Sequence, residues 1–127
     1  MRVNRSLVES TVILSSSRSL FWEAEKARRK IGTASRKELE CMRSELLFQT
    51  ILFKRSFSLI MKESIRYPSD FISAFFEVDA MLADGMHNLV HERRMDDYLV
   101  MDLKFFLVAI QDLENFLCRF VKGMGEI

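Results

Sequence analysis

The sequence predicts an all-α protein folded as an antiparallel, up-down-up-down four-helix bundle with long helices, and three observations carry that reading. Apolar residues recur at intervals of three and four along most of the chain, the spacing that lines one side of an α-helix. One Pro and four Gly among 127 residues leave few places for a sharp turn, so the elements must be few and long. No Asn-Gly or Asp-Gly hairpin separates alternating runs; the single Asp-Gly, Asp84-Gly85, falls inside a helical pattern. With 49% apolar residues, a chain of this length reads as one domain with one continuous core.

Helix 1 is expected over residues 6–31. Ser6-Leu7-Val8-Glu9 has the form of a capping box, in which Ser and Glu each satisfy a free backbone N–H. Gly32 supplies a residue suited to end the helix, and Lys26, Arg28, Arg29 and Lys30 set positive charge beside its last carbonyls. Its weak point is the middle. Thr11, Val12 and Ile13 are β-branched and Ser15, Ser16 and Ser17 compete for backbone hydrogen bonds, which predicts either a kink or a close approach by another helix.

Helix 2 is expected over residues 35–66, opening on a second capping box, Ser35-Arg36-Lys37-Glu38, and closing before Tyr67-Pro68. Leu39, Met42, Leu46, Phe53, Phe57 and Ile60 form its stripe, interrupted by Thr50 and widened by Leu47, Ile51, Met61 and Ile65, so more than one neighbour should contact it. Helix 3 is expected over residues 69–92 with Phe71, Phe75, Val78, Leu82, Met86 and Leu89 on its seam. Gly85 falls on that same seam, where a missing side chain lets a neighbour approach. Helix 4 is expected over residues 96–122, starting at Asp96 or Asp97, with Met95 and Val100 placed as a hydrophobic staple if Asp96 is the cap, and with Gly123 as its end. Leu99, Leu103, Phe106, Ile110, Leu113, Leu117 and Phe120 make an unbroken seam along it.

Net charge is only +1, but it is unevenly placed. Residues 1–67 carry 14 Lys and Arg against 7 Asp and Glu, and residues 68–127 carry 5 against 11, giving +7 and −6. The two halves should attract each other.

Several functional classes find no support. There is no Gly-rich phosphate loop, no Gly-x-Ser-x-Gly elbow and too few His for a Ser-His-Asp set, so no enzyme activity and no cofactor are expected. Cys41 and Cys118 fit no Cys-x-x-Cys spacing and read as small buried hydrophobes in a reducing compartment. The N-terminus lacks the continuous apolar core of a signal peptide and no window is apolar enough to span a membrane, so the chain is expected in the cytoplasm.

Three constellations remain. Asp84, His87 and His91 stand at i, i+3 and i+7, setting possible metal ligands along one helical stripe. Arg28, Arg29, Lys30, Arg36 and Lys37 surround the turn between helices 1 and 2, where charge and helix dipole together would stabilise an anion. No aromatic residue interleaves them, so any nucleic-acid contact there would be to backbone and independent of sequence. The third is the surplus apolar surface of helix 4. Beside the main seam, Tyr98, Phe105, Ala109 and Phe116 form a second row, and Val100, Leu107 and Val121 a third. Such excess marks a subunit interface or a groove for a partner helix. The expected function is therefore a non-enzymatic protein–protein interaction module that self-associates or holds another helix along the surplus apolar surface of helices 2 and 4, with a homo-oligomer as its simplest form. Tyr98, Phe105, Phe116, Leu107 and Val121 are its candidate contacts. Binding to nucleic acid or an anionic surface is the alternative, and surface metal binding through His87 and His91 a further one. The sequence does not separate a regulator from an adaptor, a chaperone or an assembly subunit.

Overall fold

A computed structural model describes the backbone of residues 4–63, 68–91 and 94–125, and the side chains of residues 15, 17–59, 73–91 and 94–120. Four helices account for nearly all of it: α1 (Asn4–Lys30), α2 (Arg36–Glu63), α3 (Pro68–Val90) and α4 (Asp96–Gly125). No strand occurs among the described residues. Several boundaries differ from expectation. α1 begins at Asn4, ahead of Ser6, and ends at Lys30; α3 takes Pro68 as its first residue, where a missing N–H costs nothing, and ends at Val90; and α4 continues through Gly123 to Gly125.

The helices pack as a four-helix bundle whose diagonal is α2 with α4. Each of these two helices touches the other three, whereas α1 and α3 do not meet among the described residues. The diagonal carries the bulk: Phe53 and Phe57 from α2 and Phe106 from α4 are fully buried, and the α4 seam from Leu99 to Leu117 is buried throughout. α1 packs with smaller residues. Ser17, Leu20, Ala24 and Ala27 form its buried line, and the helix runs unbroken through the serines.

Contacts between α2 and α3 show that these two run in opposite directions. Arg43 donates to the carbonyl of His91, Lys54 forms an ion pair with Asp79, and Phe57 stacks on Phe75 with centroids 6.4 Å apart. Numbers rise on one helix as they fall on the other. Gly85 of α3 faces Phe106: a Cβ placed there would lie 3.2 Å from Phe106 Cε1 and closer still to Cδ1, so the glycine is required for that ring to seat. Thr50, the polar break in the α2 stripe, is fully buried and donates its hydroxyl to the Leu46 carbonyl at 2.6 Å.

The basic and acidic halves do bond to each other. Arg36 reaches Asp96 at 3.0 Å, and Lys54 with Asp79 makes a second link between them. The Ser35 capping box closes as the sequence implies: Ser35 N–H donates to Glu38 Oε1 at 3.3 Å, and the Glu38 N–H donates to Ser35 Oγ at 3.3 Å. At the start of α4 the Leu99 N–H donates to the Met95 carbonyl at 3.3 Å, so Met95 and not Asp96 takes the cap position; Met95 is exposed, while Val100 packs on the core.

Candidate interaction surface

α4 is apolar on two sides. Its inward seam needs no explanation beyond the core. On its outward side Tyr98, Met101, Phe105 and Val108 follow at spacings of three, four and three, the same rule that makes the inward seam. At 100° per residue they fall on one strip facing away from Leu103 and Phe106, and they are 55%, 64%, 52% and 62% exposed. Four bulky apolar side chains in a row, each more than half exposed, have no counterpart among the described residues to cover them.

The sequence rows split differently from expectation. Tyr98 and Phe105 stand on the outward strip, as an interface requires. Leu107 does not: it is 5% exposed, packed into the core beside α1, whose Arg28 donates to its carbonyl at 3.2 Å. Phe116 is half-buried, packed on the core and stacked on Phe120 with centroids 6.1 Å apart. Val121 has a helical backbone, and its side chain lies outside the described residues. Ala109 is also buried. Met101 and Val108 complete the strip and were not among the expected contacts; their signal was the three-four spacing from Tyr98.

Other apolar side chains are exposed on α2, namely Phe48, Ile51, Leu52 and Leu59, but Arg55 divides them. Trp22 of α1 is exposed too, and Lys26 sits over its ring at 3.9 Å.

The basic turn between α1 and α2 meets its own counter-charges. Lys26 pairs with Glu23 at 3.2 Å, Arg28 and Arg29 share Glu25 at 3.3 and 3.5 Å, and Arg36 pairs with Glu40 at 3.2 Å besides Asp96. The Arg36 guanidinium is raised above its ordinary pKa, first by its hydrogen bond to Asp96. Glu38 is held below the usual carboxylate range, first by the Ser35 N–H and then by the Ser35 hydroxyl. The adjacent cleft, about 320 Å³, is lined by Lys26, Lys30 and Lys37 but equally by Glu23, Glu38 and Glu45. Of the five residues expected to hold an anion, Arg28, Arg29 and Arg36 are engaged with carboxylates, while Lys30 and Lys37 remain on this charge-balanced wall.

The metal stripe is brought together only in part. His87 and His91 meet with Nε2 atoms 3.2 Å apart and rings edge-on, an approach that a single imidazole N–H between them accounts for. Asp84 does not join them as a third ligand, and no group of three His, Cys, Asp or Glu suited to a metal occurs among the described residues. The reason is the rise along the helix: seven residues separate Asp84 from His91 by about 10 Å, too far to share one ion. Cys41 and Cys118, expected to be buried, are both exposed and unpaired as thiols.

No described helix is long and apolar enough to cross a membrane. Comparison with protein-family models, curated proteins and solved structures returns no match to this chain.

Proposed function

We propose that this protein is a non-enzymatic interaction module whose working surface is the outward strip of α4. The observation that carries the reading is the run Tyr98, Met101, Phe105 and Val108, uninterrupted and more than half exposed at every position. A solvent-facing helix side ordinarily carries charged and polar residues at these positions. Contiguous apolar surface of this kind loses free energy in water at roughly 25 cal/mol per Å², a cost that a bound partner removes. Aromatic and Met side chains suit such a role, because they supply large contact areas and Met adapts to the shape it meets. The competing charge-based reading is weakened by the internal pairing of Arg28, Arg29 and Arg36.

A photo-reactive amino acid placed at Met101 or Phe105, and in parallel at exposed Ser44 of α2, tests the proposal inside cells of the native host. Discrete protein adducts from the two α4 positions and none from Ser44 are expected. Equal or absent labelling at all three would refute it.

A further inference from the structure

The chain holds two histidines, and both stand exposed at the C-terminal end of α3. His87 lies in the last turn of that helix and His91 directly after its end at Val90. Side chains four residues apart share one side of a helix. Here the two Nε2 atoms come within 3.2 Å, with ring centres 4.6 Å apart and ring planes at 88°. That separation suits one N–H between the rings, and it also suits a chelate. Two nitrogens at ordinary zinc–imidazole distance stand about 3.3 Å apart around a tetrahedral ion and about 2.9 Å apart at a right angle. The observed pair lies between these values and nearer the tetrahedral one.

We propose that His87 and His91 form a two-imidazole chelate for zinc, one ion per chain, with water in the remaining positions. The site stands on α3 and does not depend on what the α4 strip binds. Imidazole nitrogen favours zinc, copper and nickel, whereas magnesium and calcium demand oxygen ligands. The ion takes the place of the shared hydrogen. The ring that carried its proton on Nε2 keeps it on Nδ1 instead, so both Nε2 lone pairs face the metal and no proton is lost from a neutral pair. The negative end of the α3 dipole favours a cation at this place. Asp84, exposed and three residues before His87, adds negative charge on the same stripe without binding the ion. Arg43 acts in both directions: its hydrogen bond to the His91 carbonyl at 3.5 Å ties down the residue past the helix end, and its charge opposes the ion. With two protein ligands and open water positions, the site takes up and releases zinc as the metal concentration changes, unlike a closed four-ligand structural site.

Calorimetric titration of Zn2+ into the full chain without a tag tests the assignment. A Cys41→Ser/Cys118→Ser background is used, because both thiols are exposed and can themselves ligate zinc. One ion per chain is expected. His87→Gln and His91→Gln, each at an exposed position, leave the helical circular dichroism unchanged and each weaken zinc binding about a hundredfold, since a lone imidazole lacks the effective concentration of the second. Asp84→Asn changes the affinity by less than about threefold, as a nearby charge and not a ligand does. In the unaltered pair, zinc moves the ring 15N resonances of both Nε2 atoms, and Mg2+ in large excess neither moves them nor displaces zinc. Absence of zinc uptake overturns the proposal, as does binding that survives the loss of either histidine, a stoichiometry of one ion per two chains, or an Asp84→Asn loss as large as that of a histidine.

Discussion

α4 and the turn between α1 and α2 are the two most heavily marked stretches of this chain, one by apolar residues and the other by charge, and their fates differ. The turn satisfies itself. Glu23, Glu25 and Glu40 stand three or four residues from the cations they meet, and Asp96 arrives from the start of α4. α4 cannot satisfy itself, because a helix surrounded by three others still turns one side to water, and on that side Tyr98, Met101, Phe105 and Val108 are more than half exposed. Dense charge in a helical sequence recruits partners from its own next turn. Dense apolar surface has no such local remedy and needs another body. The contrast favours α4 over the basic turn as the surface at which this molecule does its work.

The sharpest way to break that contrast uses two adjacent residues. Phe106→Ala removes a fully buried ring and is expected to lower stability by about 3–5 kcal/mol, whereas Phe105→Ala, half exposed next door, changes the stability of the monomer by no more than about 0.5 kcal/mol. Urea unfolding at low protein concentration measures both. Similar losses for the two would mean that the outward strip belongs to the core.

Gly85→Ala probes the same ring from the facing helix. Overpacking costs about 1–3 kcal/mol and outweighs the roughly 1 kcal/mol gained in helix propensity, because the new methyl meets Phe106 in its ring and not at a flexible end. The expected result is a net loss, relieved when combined with Phe106→Leu. An unchanged or raised urea midpoint for the single variant would show that α3 and α4 yield to each other.

The smallest effects belong to the charged turn. Ser35→Ala opens the capping box and costs about 1 kcal/mol at neutral pH. Its dependence on pH follows from the lowered pKa of Glu38. A group whose pKa falls on folding stabilises the fold fully above its unfolded value and loses that contribution as pH drops through its folded value. The gap between the unaltered protein and Ser35→Ala is thus expected to be widest at neutral pH and to narrow as pH falls through the acid range, down to the part due to the Glu38 N–H bond to the Ser35 hydroxyl, which does not titrate. Arg36 has the opposite sign, raised on folding, so its contribution is complete throughout that range and adds no slope. A gap that widens toward acid would contradict the cap geometry.

Much of the architecture was legible because it rests on periodicity. The α4 seam, the α2 stripe through Leu39, Leu46, Phe53 and Phe57, and the Ser35 cap all emerge where the spacing places them. The buried line of α1 was not legible, since Ser17, Ala24 and Ala27 carry little hydrophobic signal and are buried by the closeness of their neighbours. The outward strip was legible only in part. Apolar residues surround α4, and sequence spacing does not say which of its sides meet other helices. The position of α1 decides that Leu107 is covered, and no other described element covers Met101 and Val108. Cys41 and Cys118 follow the same rule in reverse, being residues that are buried on average but here stand on outer faces.

Hydroxyl-radical footprinting of the protein inside cells of the native host, set against the dilute purified protein, tests the role of α4 most directly. The reactivity of Met101 and Phe105 is expected to be lower in the cells, while Trp22 and Phe48, equally open on α1 and α2, keep theirs. Four side chains reacting alike in the two settings would contradict the assignment of the α4 strip as the surface that meets a partner.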